Sequence, residues 1–169
     1  YHLEDAIGRT WQCGTIQLDF QMPERFDLTY IDKNNEKKRP VMVHRTILGS
    51  IERFMGILIE HYAGKFPMWL APVQVTILPI SDKFNDYAYE IKNKLENNNI
   101  RTNIDPRAEK IGYKIREARL QRIPYMLIVG EKEMTNGLVS INKRDEGDIG
   151  QFTIDEFMDR AMKETRERK

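Results

Sequence analysis

From Thr15 to Phe20 the chain alternates strictly, with Ile16, Leu18 and Phe20 on one side and Thr15, Gln17 and Asp19 on the other. A period of two predicts a half-buried strand with one polar face. Leu28–Asp32 and Val41–Arg45 read as two more strands, joined by the polar turn Lys33–Arg39. Pro40 stands at a strand entrance, where its missing N–H does least harm. Three strands with short connections predict an antiparallel sheet. The period then changes. Ile47, Leu48, Ile51, Phe54, Met55, Leu58, Ile59 and Tyr62 fall on one helical stripe, and Gly49, Arg53, Gly56 and Glu60 on the opposite one. A glycine inside a helix costs about 1 kcal/mol relative to alanine. Two of them flanking Arg53 leave two readings open: a backbone that something approaches closely, or a solvated arginine over a kink or a close helix–sheet contact.

Gly64, Pro67 and Pro72 interrupt the pattern between residues 63 and 72, the best candidate for a domain boundary. Beyond it β and α patterns alternate. Val73–Ile80 is apolar enough for a strand buried on both faces. Phe84, Tyr87, Ala88, Ile91 and Leu95 mark a helix that Ser81 could cap. Arg101–Asp105 reads as a short strand, Glu109–Arg122 as a helix and Tyr125–Val129 as a buried strand. Leu138–Asn142 is expected as an exposed strand reached through the Asn136-Gly137 turn. Thr153 and Glu156 have capping-box spacing at the start of a last helix that turns Phe157, Met158, Ala161 and Met162 inward. The fold class expected is α/β: an α+β segment with antiparallel strands over 1–70, then a compact α/β domain with a mixed sheet over 71–169.

Composition narrows the function classes. The 169 residues carry 27 basic and 26 acidic side chains, a net charge of +1, which argues against bulk polyanion binding but leaves room for a local basic patch. Mean hydropathy is −0.61 and no apolar run approaches the roughly 18 residues that cross a bilayer. A single cysteine, Cys13, rules out an intrachain disulfide and fits a reducing, cytoplasmic compartment.

Chemical motifs are sparse. His2, His44 and His61 lack metal-type spacing, and a structural or solvent-exposed histidine is the favoured reading of each from the residues alone. No G-x-S-x-G or P-loop sequence occurs. Residues 106–122 hold six basic side chains, Arg107, Lys110, Lys114, Arg116, Arg119 and Arg122, against Glu109 and Glu117. Such a helix can position phosphates while neighbouring side chains read unpaired bases. On charge alone, an ordinary solvated helix is favoured.

Whole segments carry more. Trp11-Gln12-Cys13-Gly14-Thr15-Ile16-Gln17-Leu18-Asp19-Phe20, followed by Val41-Met42-Val43-His44-Arg45-Thr46-Ile47-Leu48-Gly49-Ser50-Ile51-Glu52-Arg53-Phe54, resembles the end of the catalytic domain of the threonyl-tRNA synthetase family. The second stretch resembles class II motif 3, a strand feeding a helix. Residues 71–169, through Asp105-Pro106-Arg107 and Glu109-Lys110-Ile111-Gly112-Tyr113-Lys114-Ile115-Arg116, resemble the anticodon-binding domain of class IIa synthetases.

The resemblance implies an ATP-dependent threonine–tRNA ligase that forms threonyl-adenylate and passes threonine to tRNA. Arg53 would be the catalytic arginine against ATP, and Gln12, Thr15, Gln17, Ser50 and Arg53 would line the adenylate and threonine pocket. His44 matches one ligand of the family's Zn2+, which holds threonine by its amino and hydroxyl groups and so rejects valine. Asn35, Arg116, Arg122 and Glu133 match contacts to the tRNA(Thr) anticodon loop. Ala108 and Asn142 depart from residues found in relatives, which puts those two contacts in doubt. ATP, Mg2+ and a homodimer belong to the intact ligase. Motifs 1 and 2 and two zinc ligands have no counterpart here, so the expectation is a C-terminal fragment that is inactive alone, binds no zinc tightly and retains anticodon recognition. The alternative is a non-catalytic nucleic-acid-binding module on a synthetase-like scaffold.

Overall fold

The computed structural model describes all residues, Tyr1 to Lys169, and divides them into two compact units, Tyr1–Tyr62 and Ala63–Lys169. In the first unit β1 (His2–Glu4) pairs with β2 (Thr10–Gln12), and β3 (Thr15–Asp19) pairs antiparallel with β6 (Met42–Thr46). The short helix α1 (Gln21–Arg25) follows β3, because Asp19 Oδ1 accepts the N–H groups of Gln21 and Met22 at 2.8 and 3.0 Å and turns the chain. Tyr30–Ile31 (β4) pairs only with Lys37–Lys38 (β5). The expected three-stranded sheet is therefore two separate two-stranded pairs. The cause is Asp32, whose Oδ1 accepts from the N–H groups of Asn34 and Glu36 and closes a tight turn inside the segment read as a connection.

The following helix, α2 (Ile51–His61), starts four residues later than the periodicity predicts. Gly49 adopts φ +68°, and a Cβ there would lie 3.2 Å from the carbonyl oxygen of Cys13. Ser50 then caps the helix by accepting from the N–H of Arg53. The close approach sought around Arg53 thus exists at Gly49, outside the helix, whereas Gly56 opens on free space. The apolar stripe of α2 is not a core. Only Cys13, Gly14 and Pro23 are buried in this unit, and Ile16, Leu18, Phe20, Val43, Ile51, Met55 and Ile59 are exposed. Two-stranded pairs are too narrow to cover such a face.

The second unit is a five-stranded mixed sheet in the order β11-β10-β9-β7-β8. Its strands are β7 (Val75–Pro79), β8 (Thr102–Ile104), β9 (Tyr125–Val129), β10 (Leu138–Lys143) and β11 (Gly147–Thr153). β7 runs parallel to β8 and β9, and β10 antiparallel to β9 and β11. One face is covered by α3 (Asn85–Asn97) and α6 (Ile154–Glu167), which pack Ala88, Ile91, Leu95, Phe157, Met158 and Ala161 against Val75, Ile77, Leu127, Val139 and Ile141. The other face receives α4 (Ile111–Leu120), whose Ala118 packs with Leu78, Ile123 and Met126 over β7 and β9. On the β10–β11 half of that face lies the short α5 (Glu131–Asn136), whose Glu133 reaches Ser140 of β10 and Gln151 of β11.

Ser81 caps a 3-10 turn, Asp82–Phe84, that leads into α3 rather than capping α3 itself. Thr153 and Glu156 form the expected reciprocal capping box on α6. The exposed strand expected at Leu138–Asn142 is instead an interior one, with Val139 and Ile141 at most 1% exposed. Its outer neighbour, β11, is polar and glycine-containing and did not read as a strand. α4 is two residues shorter at each end than Glu109–Arg122; Arg122 has left the helix at φ +58°. No helix is long and apolar enough to cross a membrane.

Candidate nucleic-acid interface

The first unit gathers polar side chains on one face of the β3–β6 pair. Gln17 stands opposite His44 and Thr15 opposite Thr46, as the alternating pattern requires. The hydroxyls of Thr15 and Thr46 are 2.9 Å apart, and His44 Nε2 is 3.0 Å from Asp19 Oδ2. The N–H of Met22 and then His44 hold the Asp19 carboxyl below the usual aspartate range. Gln12 closes β2, with its carbonyl oxygen beside Gly49. Ser50 accepts from Arg53 N–H and donates to Glu52. The Arg53 guanidinium lies 5.9 Å from the Trp11 ring centroid, and that of Arg9 lies 5.4 Å from it. Thr15, Gln17 and His44 are thus brought together on the strands, while Ser50 and Arg53 come from the start of α2.

A metal fits this set poorly. No group of three or more His, Cys, Asp or Glu side chains converges anywhere in the chain. His44 and Asp19 supply two donors, fewer than the three protein ligands of a catalytic zinc site.

The second unit holds its candidates on the sheet face opposite α3 and α6. Met126 of β9 stands opposite Asn142 of β10, and Ile128 opposite Ser140, which in turn faces Gln151 of β11. Arg122, Arg119, Arg144 and Lys65 surround Met126 and Asn142 in a cavity of about 520 Å3. Arg144 ties the site together, donating to the Arg122 carbonyl at 2.7 Å and to the Lys65 carbonyl at 3.2 Å. The Arg122 side chain runs beside Gly64, where a Cβ would lie 3.5 Å from Arg122 Cδ. Asn142 is 8% exposed, and its Oδ1 has no hydrogen-bond partner. A buried amide oxygen without a partner is costly unless a ligand or water meets it.

One row along the same face lies Glu133, on α5 (Glu131–Asn136) and 7% exposed. Its Oε2 accepts from Gly130 N–H at 3.0 Å, and its Oε1 accepts from Ser140 Oγ and Gln151 Nε2, each at 2.8 Å. Burial pushes its pKa up, but the hydrogen bonds from Ser140, its own helix N-terminus, Gln151 and Gly130 prevail and hold it below the usual glutamate range. Glu133 is therefore an anion fixed in place.

Arg116 stands exposed on α4, apart from both clusters. Its helix is anchored by Lys114, whose buried Nζ donates to the carbonyls of Pro79 and Asp105 at 2.9 and 3.0 Å. Asn35 lies in the β4–β5 turn of the first unit, at φ +60°. Sequence reasoning missed Ser140, Gln151 and Arg144, and named Arg119 only as one charge of the 106–122 tract. Reading Gly147–Thr153 as a strand would have exposed the first two, since it puts Gln151 opposite Ser140.

A family model described as "Anticodon binding domain" matches residues 74–164, and one described as "tRNA synthetase class II core domain (G, H, P, S and T)" matches residues 3–62. The chain is 64% identical over its whole length to a threonine–tRNA ligase of Finegoldia magna and 62% identical over 99% of its length to that of Clostridioides difficile. It spans only about a quarter of the length of these curated relatives, 27% and 26%. A crystal structure titled as the RNA binding domain of threonyl-tRNA synthetase from Cryptosporidium parvum matches 96% of this chain and 41% of its own, with a TM-score of 0.82 at 40% identity. The resemblance carried by the Trp11–Phe20 and Val41–Phe54 stretches is thereby borne out, and with more than half its length matched by that model, the chain belongs to the anticodon binding domain family.

Proposed function

We propose that this chain serves a threonine–tRNA ligase, with residues 71–169 binding the anticodon loop of tRNA(Thr) and residues 1–70 carrying the motif 3 end of the catalytic domain. The observation that carries the reading is the sheet face opposite α3 and α6, where Arg119, Arg122, Arg144 and Lys65 cluster at one end and the fixed Glu133 carboxylate lies at the other. Cations hold phosphates without regard to sequence, and fixed donors and acceptors read base edges. A splayed single-stranded loop offers both.

In this reading Arg116, Arg122 and Glu133 contact the loop, with Asn35 adding a contact from the first unit. Arg53 binds ATP with its Mg2+, its planar guanidinium offering fixed donors to charged oxygens. Gln12, Thr15, Gln17 and Ser50 line the adenylate and threonine pocket of a ligase that acts as a homodimer. His44 is the residue this chain would contribute toward zinc, and no step is derived through that ion because the donors present do not complete its site.

The test is a titration of labelled anticodon stem-loops, threonine and non-threonine, at two salt concentrations. Binding is expected at micromolar strength or weaker, falling steeply with salt because phosphate contacts dominate. Arg116→Ala and Arg122→Ala each weaken it, while Lys83→Ala, on the Asp82–Phe84 turn, leaves it unchanged. Equal affinity for both loops, or equal loss from Lys83→Ala, overturns the reading.

A further inference from the structure

Gln151 has no family counterpart among the expected contacts, yet its geometry is the most constrained on the sheet face opposite α3 and α6. Its Nε2 lies 2.8 Å from Glu133 Oε1 and 3.1 Å from Ser140 Oγ, so the amide nitrogen faces this pair of oxygens. The ordinary ambiguity of a glutamine amide is absent here. Glu133 is held ionised and offers only acceptors, and the Ser140 hydroxyl already donates its proton to the same carboxylate oxygen. Turning the amide over would set its Oε1 against two acceptors. Nε2 must face inward, so Oε1 must face outward, on an exposed residue and without a protein partner. The buried anion behind the amide also polarises it and strengthens that outward oxygen as an acceptor.

We propose that Gln151 is a specificity-determining residue of the RNA interface, its fixed Oε1 accepting a hydrogen bond from the Watson–Crick edge of an unpaired guanine. The inference rests on the anticodon-loop reading above. An acceptor fixed outward meets a base through that base's donors. Guanine carries two adjacent ones, N1–H and the 2-amino group. Adenine and cytosine offer an amino group beside a ring acceptor, and uracil a single N–H between two carbonyls, so guanine alone offers this oxygen two adjacent donors. Gln151, Ser140 and Ile128 form one cross-strand row, and Asn142 and Met126 the next. A base seated on the first row therefore leaves its backbone within range of the arginines around the second. A threonine loop with anticodon UGU contains a single guanine in its triplet, which makes it the right probe.

The experiment uses the 169-residue chain and UGU stem-loops in which that guanine is replaced by inosine, which lacks the 2-amino group, or by 2-aminopurine, which lacks the N1–H. Wild type loses about three- to tenfold in affinity with at least one analogue, the scale of one neutral hydrogen bond. Gln151→Met loses a similar factor with the parent loop and is then indifferent to that analogue. Glu133→Gln, which lets residue 133 donate and so frees the Gln151 amide to turn, also blunts the discrimination while circular dichroism stays native. If Gln151→Met and both analogues act independently while wild type still prefers the threonine loop, the assignment of Gln151 is wrong and the anticodon-loop reading stands. If wild type shows no preference for the threonine loop, the underlying reading fails and Gln151 fails with it.

Discussion

His44 Nε2 lies 3.0 Å from Asp19 Oδ2 across the β3–β6 pair, with no third metal-type ligand converging on them. The same aspartate holds the start of α1 through its other oxygen. The histidine is therefore engaged in a local contact rather than waiting in a ready-made cage. We expect the 169-residue chain, after gel filtration from excess zinc, to retain well under one equivalent by elemental analysis, and His44→Ala to leave that value unchanged. A full equivalent lost on His44→Ala would overturn this.

Arg53 and Arg9 both sit within cation–π range of Trp11, which holds Asp5 through its indole N–H at 2.9 Å. The Arg53 guanidinium otherwise has no carboxylate partner, leaving its donors available to phosphate or adenylate oxygens. In a chain of the length of the curated relatives, Arg53→Ala should lower threonine-dependent ATP–pyrophosphate exchange by about 10²–10³-fold, the scale of losing one charge-stabilising donor group. Stem-loop affinity should not change. Equal loss of both activities would mean that the substitution disturbs folding instead.

Lys114 is 1% exposed and joins the end of β7 to the segment after β8 through two carbonyl oxygens. Lys114→Met keeps the apolar stem but leaves both acceptors unmet, which should cost about 1–3 kcal/mol in urea unfolding. Burial lowers the pKa of Lys114 below the ordinary 10.5. The unfolded chain therefore keeps this proton to higher pH than the folded one, so stability rises with pH in the window just under 10.5. The methionine variant should lose that rise.

How much of this was legible depended on what each residue answers to. The β3 alternation, the apolar β7 and β9 and the Thr153–Glu156 capping box are local patterns, and the structure forms each of these elements, although the apolar side of β3, expected buried, carries Ile16, Leu18 and Phe20 exposed. What escaped was set by partners distant in sequence. Gly147–Thr153 is a strand because β10 supplies its ladder, and its own polar, glycine-containing sequence argues otherwise. Once β11 is missed, β10 reads as an edge and Gln151 as a loop residue. The β4–β5 pair failed for the opposite reason, because one side-chain turn at Asp32 outweighed a longer apolar run. In the site, Arg116 and Arg122 were visible as charges on a helical tract. That Arg122 turns off the helix at positive φ into a cavity shared with Asn142 follows from packing against Gly64 and from Arg144 holding its carbonyl.

The Glu133 cluster makes the last prediction a matter of pH. Four hydrogen bonds hold its carboxylate: Ser140 Oγ and Gln151 Nε2 on one oxygen, Gly130 N–H on the other, and its own backbone N–H, which together outweigh the cost of burial. Its folded-state pKa thus lies below the ordinary 4.5, so the folded chain sheds this proton more readily than the unfolded one. The sign follows directly. The contribution is fully present above 4.5 and is lost as pH falls through the depressed folded value, because there the unfolded state binds the extra proton first. Glu133→Ala should cost about 1–3 kcal/mol near neutrality, since it strands the buried Gly130 N–H and frees the Ser140 hydroxyl. Glu133→Gln keeps the shape and some of the bonds but removes the titration, so the gap between it and wild type should narrow as pH drops below 4.5. Urea unfolding of the three proteins across that range measures this directly. A gap that stays constant with pH would mean that Glu133 is not ionised in the folded chain, and the fixed acceptor on this face would have to be reassigned.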